Sequence, residues 1–212
     1  MTSNLIVLRR YLFMVLIIGI SSNIQAQSER ELWKLQFALG FNNPIDNISE
    51  DDYFTKSINF VSLNLGVQHM FKPRLGAKLD LSYNRSQSDS QSDEFKLNYT
   101  RVNVQLVYDA SDIITFLPPR FNVVGHVGPG ISFSSPLGAF TDNKQTFFNA
   151  MAGVEFHYGI SKGFSIYTDF SYILGLASDK YNTLIDGFAF NGDVFTATIG
   201  VSVALSGCQY CD

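Results

Sequence analysis

Only three histidines are present, His69, His126 and His157, so any imidazole chemistry in this chain has to be built from them. His126 lies in RFNVVGHVGPGISFS, and His157 follows Glu155 by two residues in FNAMAGVEFHYG. Two imidazoles and a carboxylate on neighbouring stretches would supply three of the four N and O ligands that zinc takes. A fourth ligand at a recognisable spacing is missing. The residues favour a set of polar side chains that satisfy one another, with no metal and no cofactor. Acyl transfer or hydrolysis would need a nucleophile, a base and an orienting group held together. No such grouping stands out, and no catalytic residue is expected.

What must position these groups is an alternation that recurs along the chain. In LGAKLDLSYN, Leu75, Ala77, Leu79, Leu81 and Tyr83 alternate with Gly76, Lys78, Asp80, Ser82 and Asn84. Strand side chains point in turn to opposite faces, so this stretch has one apolar face and one polar face. Similar runs cover residues 33–41, 61–68, 101–108, 121–133, 148–158, 164–172 and 195–205, with Val124 breaking the pattern of its run. Each is close to the roughly 9–11 residues that a tilted strand needs to cross a bilayer. The polar parity holds Lys34, Lys78 and Arg101 against Asp80, Glu155 and Asp169, with His126 and His157 beside them.

A buried charge without a partner costs several kcal/mol, so a balanced set on one face predicts a structural ion-pair network, with a gate or proton path as the sharper alternative. On that reading, removing Asp80 would strand a cation. Phe95, Leu97 and Tyr99 share the parity of Arg101, which predicts either a bulge or a strand end standing above the bilayer. His69 has the apolar parity, next to Phe71, and is expected at an interface.

The N-terminal MTSNLIVLRRYLFMVLIIGISSNIQAQ has a basic pair, Arg9 and Arg10, then an apolar run to Ile20, then polar residues closing on Ala26. That layout is a secretory signal peptide, and the apolar core is about half of the roughly 20 residues a membrane helix needs. Cleavage after Ala26 removes two arginines and no acid, so a chain of net charge −4 becomes more acidic. Nucleic acid is excluded as a partner by that charge. The expected division is 1–26 signal peptide, 27–205 barrel and 206–212 a short periplasmic tail. Two cysteines, Cys208 and Cys211, fall in that tail. They make no disulfide framework for the fold, and a local bridge or two free thiols both stay open.

Connection lengths alternate too. FKPR and GISKG are tight, whereas the segments centred near Asp46, Ser90, Thr141 and Leu184 are long and mostly polar. Short turns on one rim and long loops on the other is the layout of an outer-membrane barrel. The link DASDIITFLPPR is longer than a short-side turn, with room for one helical turn. Alternation alone also fits a soluble carrier with an oily lumen. The polar face decides against it, being mostly Gly, Ser, Thr, Asn and Gln, as an eight-stranded lumen just wide enough for side chains requires. Aromatics near the strand ends, including Trp33, Phe41, Tyr108, Phe133, Tyr158 and Tyr172, suit two headgroup levels.

LGVQHMFKPRLGAKLDLSYN, NYTRVNVQLVYD, VVGHVGPGISF and FNGDVFTATIGVSVAL together resemble the eight-stranded transmembrane barrel of the outer membrane protein A family. Thr198, Gly200, Val203 and Leu205 are spaced like that family's C-terminal assembly signal, with aliphatic side chains where aromatics are usual. The resemblance implies a bacterial outer-membrane location, contact with outer-membrane lipids and handling by the outer-membrane assembly machinery. Many relatives continue into a peptidoglycan-binding domain; this sequence ends at Asp212, and that activity is not carried over.

The expectation is therefore an all-β protein, an eight-stranded antiparallel up-and-down transmembrane barrel behind a cleaved signal peptide. Its role is expected to be non-enzymatic, structural or surface-interacting, with an extracellular ligand reached through the long loops. The rival readings are a narrow pore, an adhesin or receptor, an outer-membrane enzyme and a soluble lipid carrier.

Overall fold

The structure, a computed structural model, describes residues 33–45, 55–89, 94–114, 116–118, 120–161, 163–176, 190 and 192–205. The signal segment 1–26, the loop centres Asp46, Ser90 and Leu184, and the tail with Cys208 and Cys211 lie outside the described residues. Eight strands follow one another: β1 Trp33–Pro44, β2 Asn59–Met70, β3 Leu75–Gln87, β4 Lys96–Asp109, β5 Phe121–Leu137, β6 Gln145–Ser161, β7 Phe164–Gly175 and β8 Val194–Ala204. Each pairs antiparallel with the next, and β1 also pairs with β8, so the sheet closes. Closure leaves no unpaired strand edge, the condition a sheet must meet in hydrocarbon.

The alternation maps directly onto the two faces of the wall. Leu79 and Leu81 point out, Leu79 with 53% of its surface exposed, while Asp80 between them is 2% exposed. Phe37, Val104, Val127, Phe156, Phe170 and Ile199 are likewise exposed, and the buried set is mostly polar: Gln36, Asn64, Lys78, Asn103, Glu155 and Asp169 among others. A water-soluble fold has the opposite bias. Aromatic side chains mark two levels. Trp33 packs on His69 at 4.3 Å and Phe121 on Tyr158 at 5.3 Å near one rim; Phe41 meets Phe60 at 5.6 Å near the other.

Only residues 71–74 separate β2 from β3, and only 162–163 separate β6 from β7, both on the Trp33 rim; β7 and β8 are separated by residues 176–193 on the opposite rim. The β4–β5 link forms no helix among its described residues. It is tied by single-turn bonds, Ile113 N to Ala110 O at 3.0 Å and Leu117 N to Ile114 O at 3.2 Å. On the long-loop rim β5 is followed by a short 3-10 turn, Gly138–Phe140.

The beginning of β4 departs from the first of the two sequence expectations, the bulge. Its register with β3 runs unbroken from Gln87↔Lys96 to Leu75↔Tyr108, so no bulge changes its face. Leu97 and Tyr99 stay on the inward parity of Arg101 and, with Phe95, enter an apolar cluster with Met151, Ile173, Phe190 and Val194; Phe140 and Phe147 pack against it. The interior is therefore polar near the short turns and partly apolar near the long loops. An apolar side chain is as well satisfied by apolar neighbours inside a barrel as by lipid outside it, which is why parity alone cannot separate the two.

Candidate functional site

The inward polar side chains converge on Glu155 of β6. Its Oε1 lies 2.5 Å from Lys78 Nζ of β3, across the lumen. Its Oε2 accepts from Gln36 Nε2 of β1 at 3.0 Å and lies 2.7 Å from His157 Nε2. Three strands thus share one carboxylate, and the His157 ring is stacked on Tyr167 at 4.9 Å. Close passage needs small residues in the wall: a Cβ on Gly66 would press on both Gln36 and the Lys78 chain, which cross over it.

A second group forms around Asp169 of β7. Ser171 Oγ donates to its Oδ1 at 2.6 Å, and His126 Nε2 of β5 lies 3.3 Å from the same oxygen. His126 reaches β7 only by lying over β6, directly above Gly153, where any Cβ would strike the imidazole and the Ser171 hydroxyl. Higher in the barrel Asn103 Nδ2 donates to Asn149 Oδ1 at 2.6 Å, Asn149 Nδ2 donates to Ser132 Oγ at 2.8 Å, and Tyr99 OH meets Ser132 Oγ at 2.7 Å. That chain of amides and hydroxyls lies between the charged layer and the apolar cluster, which it meets at Tyr99.

The eight residues expected on the polar face are not all brought together. Lys78, Glu155 and His157 form one connected set, and His126 and Asp169 another. Asp80 is buried within the fields of Lys78 and Arg101, but its Oδ1 has no hydrogen-bond partner among the described residues, and Lys78 is bonded to Glu155 instead. Arg101 is completely buried one level below Tyr99, and none of its guanidinium nitrogens has a hydrogen-bond partner among the described residues. Lys34 stands half-buried at the short-turn rim, apart from both sets. The expected balance of three cations and three anions is thus, in the buried layers, Lys78 and Arg101 against Asp80, Glu155 and Asp169.

His126, Glu155 and Asp169 place one ligand atom each within 4.8 Å of one another. The converging third member is Asp169 and not His157. Glu155 of that group is already paired with the Lys78 ammonium. Gln36, Gly153, Tyr167 and the apolar cluster were missed by sequence reading. The signal for the cluster was present, since parity runs unbroken from Phe95 to Arg101.

A closed eight-stranded barrel with an apolar exterior, aromatic levels at both rims and charge inside is a transmembrane β-barrel. The chain belongs to the family described as the outer membrane protein beta-barrel domain, whose model matches residues 12–205. It is a protein of the bacterial outer membrane. Among solved structures it is similar to Neisserial surface protein A, with a TM-score of 0.58 at 14% identity, covering 84% of this chain and 100% of that one. It is also similar to a major outer membrane protein of Thermus thermophilus, with a TM-score of 0.55 at 11% identity, covering 81% of this chain and 98% of that one. At such identities the likeness is one of fold. No curated protein matches the sequence.

Proposed function

We propose that this chain is a non-enzymatic outer-membrane barrel that carries its long loops at the cell surface and whose lumen is closed by its own side chains. The observation that carries the reading is the filled interior. The charged sets around Glu155 and Asp169, the Asn103, Asn149 and Ser132 chain, and the apolar cluster at Leu97, Tyr99 and Ile173 follow one another along the barrel. Both inward histidines, Lys78, Glu155 and Asp169 are engaged with one another inside the wall and not at a rim or lipid boundary, where a lipid or peptide substrate would have to meet them. The eight polar-face residues, Lys34 included, are on this reading a structural network.

The surface role is supported by the long-loop rim. β3, β4, β5 and β6 have 13, 14, 17 and 17 residues, more than the roughly 9–11 that span the bilayer. Past the level of Tyr83 and Phe133 the strands are fastened by polar bonds. Asn42 Nδ2 donates to Ser62 Oγ at 3.2 Å, Ser86 Oγ donates to Asn42 Oδ1 at 3.0 Å, and Tyr83 OH donates to Asn98 Oδ1 at 2.8 Å. Such a base would present loops to an extracellular ligand. The signal peptide is removed after Ala26, both mature ends and the short turns face the periplasm, and assembly uses the outer-membrane machinery.

The test is labelling of intact cells with a membrane-impermeant maleimide, in a background where Cys208 and Cys211 are serine. A cysteine at exposed Thr141 should react, and one at exposed Lys72 should react only after the outer membrane is opened. The reverse pattern would invert the topology and remove the surface role.

A further inference from the structure

The short-turn rim carries apolar side chains just beyond its aromatic level. Phe71 begins the β2–β3 turn, Ile160 stands at the end of β6, and the β4–β5 link holds Ile113 at 57% and Phe116 at 84% exposure. One exposed apolar side chain needs no explanation. Here each turn repeats the arrangement, and each has a basic residue near it in the sequence: Lys72 and Arg74 after Phe71, Arg120 after Phe116, and Lys162 after Ile160.

The link is not loosely held. Asp109 Oδ1 accepts from the Ser111 amide at 3.0 Å and from its hydroxyl at 2.5 Å, and Ser111 Oγ accepts from the Val123 amide at 3.0 Å. Ala110 N donates to Val123 O at 2.9 Å, and Arg74 Nε donates to Asp112 Oδ2 at 3.2 Å, fastening the link to the neighbouring turn. These bonds hold residues 109–112 of the link, and Ile113 and Phe116 beyond them are exposed. The link is continuous with the lipid-facing wall, since Tyr108 before it and Phe121 after it are both exposed on that wall.

We propose that the β4–β5 link is a membrane-inserted lip. Ile113 and Phe116 enter the boundary between headgroups and acyl chains in the leaflet that borders the short-turn rim, and Lys72 and Arg120 pair with anionic phospholipid headgroups there. Apolar residues beside basic ones are what that boundary selects, because the ring or alkyl group sits in the chains while the charge stays at the phosphates. The proposal needs the barrel to span a bilayer but not the orientation proposed above, since this rim borders one leaflet either way.

The test places a single tryptophan in the link, Phe116→Trp and separately Ile113→Trp, each in a Trp33→Phe background. The full chain is reconstituted in vesicles of phosphatidylcholine and phosphatidylglycerol, and folding is checked by heat-modifiable gel migration. Both reporters should emit at shorter wavelength than tryptophan in water, lose most emission to chain-brominated lipid and resist aqueous iodide. Thr141→Trp on the opposite rim should do the reverse. Brominated phosphatidylglycerol should quench more than brominated phosphatidylcholine at equal content, and the difference should vanish in Lys72→Gln/Arg120→Gln. Water-like emission with iodide quenching at both positions would overturn the lip and leave the link as a surface for a periplasmic protein. Equal quenching by the two headgroups would overturn the pairing with anionic lipid.

Discussion

Glu155 is the residue on which most of the lumen's polar bonding depends, because it alone accepts from Lys78, Gln36 and His157. Replacing it with alanine leaves a buried ammonium without its partner, a loss of about 3–5 kcal/mol. Asp80 makes no such bond through Oδ1, so Asp80→Ala should cost clearly less than Glu155→Ala, although parity alone makes Asp80 a cation's partner. Reversible unfolding of both variants in detergent checks the order. Gly153 is the second sensitive position. Gly153→Ala puts a methyl where the His126 ring crosses toward Asp169, and overpacking of this kind costs about 1–3 kcal/mol. A changed His126 imidazole resonance by NMR, together with a lowered unfolding midpoint, is the expected result. Parity placed all of these charges on one face, since it needs only a period of two. Their partners were not legible, because contacts across a lumen depend on strand stagger and on which wall residues lack a side chain, as Gly153 and Gly66 do.

At the scale of the strand, β3 shows how different the two faces are. Leu79→Arg sends a charge outward toward the middle of the bilayer, at a cost of about 2–4 kcal/mol in such barrels. Ser82 on the other face is fully buried and donates to Asn64 Oδ1 at 2.6 Å. Ser82→Asn, which looks harmless on a polar face, meets a filled interior and should cost about 1–3 kcal/mol as overpacking. Ser82→Ala, which removes one hydrogen bond and adds no bulk, should cost only about 0.5–1.5 kcal/mol. Folding yields into lipid vesicles should rank Ser82→Ala best and Leu79→Arg worst. β4 shows the limit of strand reading. Its face was legible to the end, but the use of the inward apolar residues was not, because their partners Ile173, Phe190 and Val194 come from elements far along the chain.

For the molecule as a whole, eight alternating runs with unequal connections were enough to read a closed up-and-down barrel, because the sheet has no other way to satisfy its edges in a membrane. The soluble carrier with an oily interior is set aside by the observed faces, with Leu79 outside and Asp80 inside. How the lumen is filled was only half legible: its charged layer followed from parity, and its apolar end required the three-dimensional meeting of β4, β6, β7 and β8. That filling separates a closed structural barrel from a narrow pore, and it can be read in one experiment. Purified protein, shown to be folded by heat-modifiable migration, is inserted into a planar lipid bilayer and held at a series of potentials in concentrated salt. A lumen closed by its own side chains should pass no stepwise current above the bare membrane. Steady unit conductance steps from the folded wild-type protein would contradict it and make the charged layer the lining of a channel.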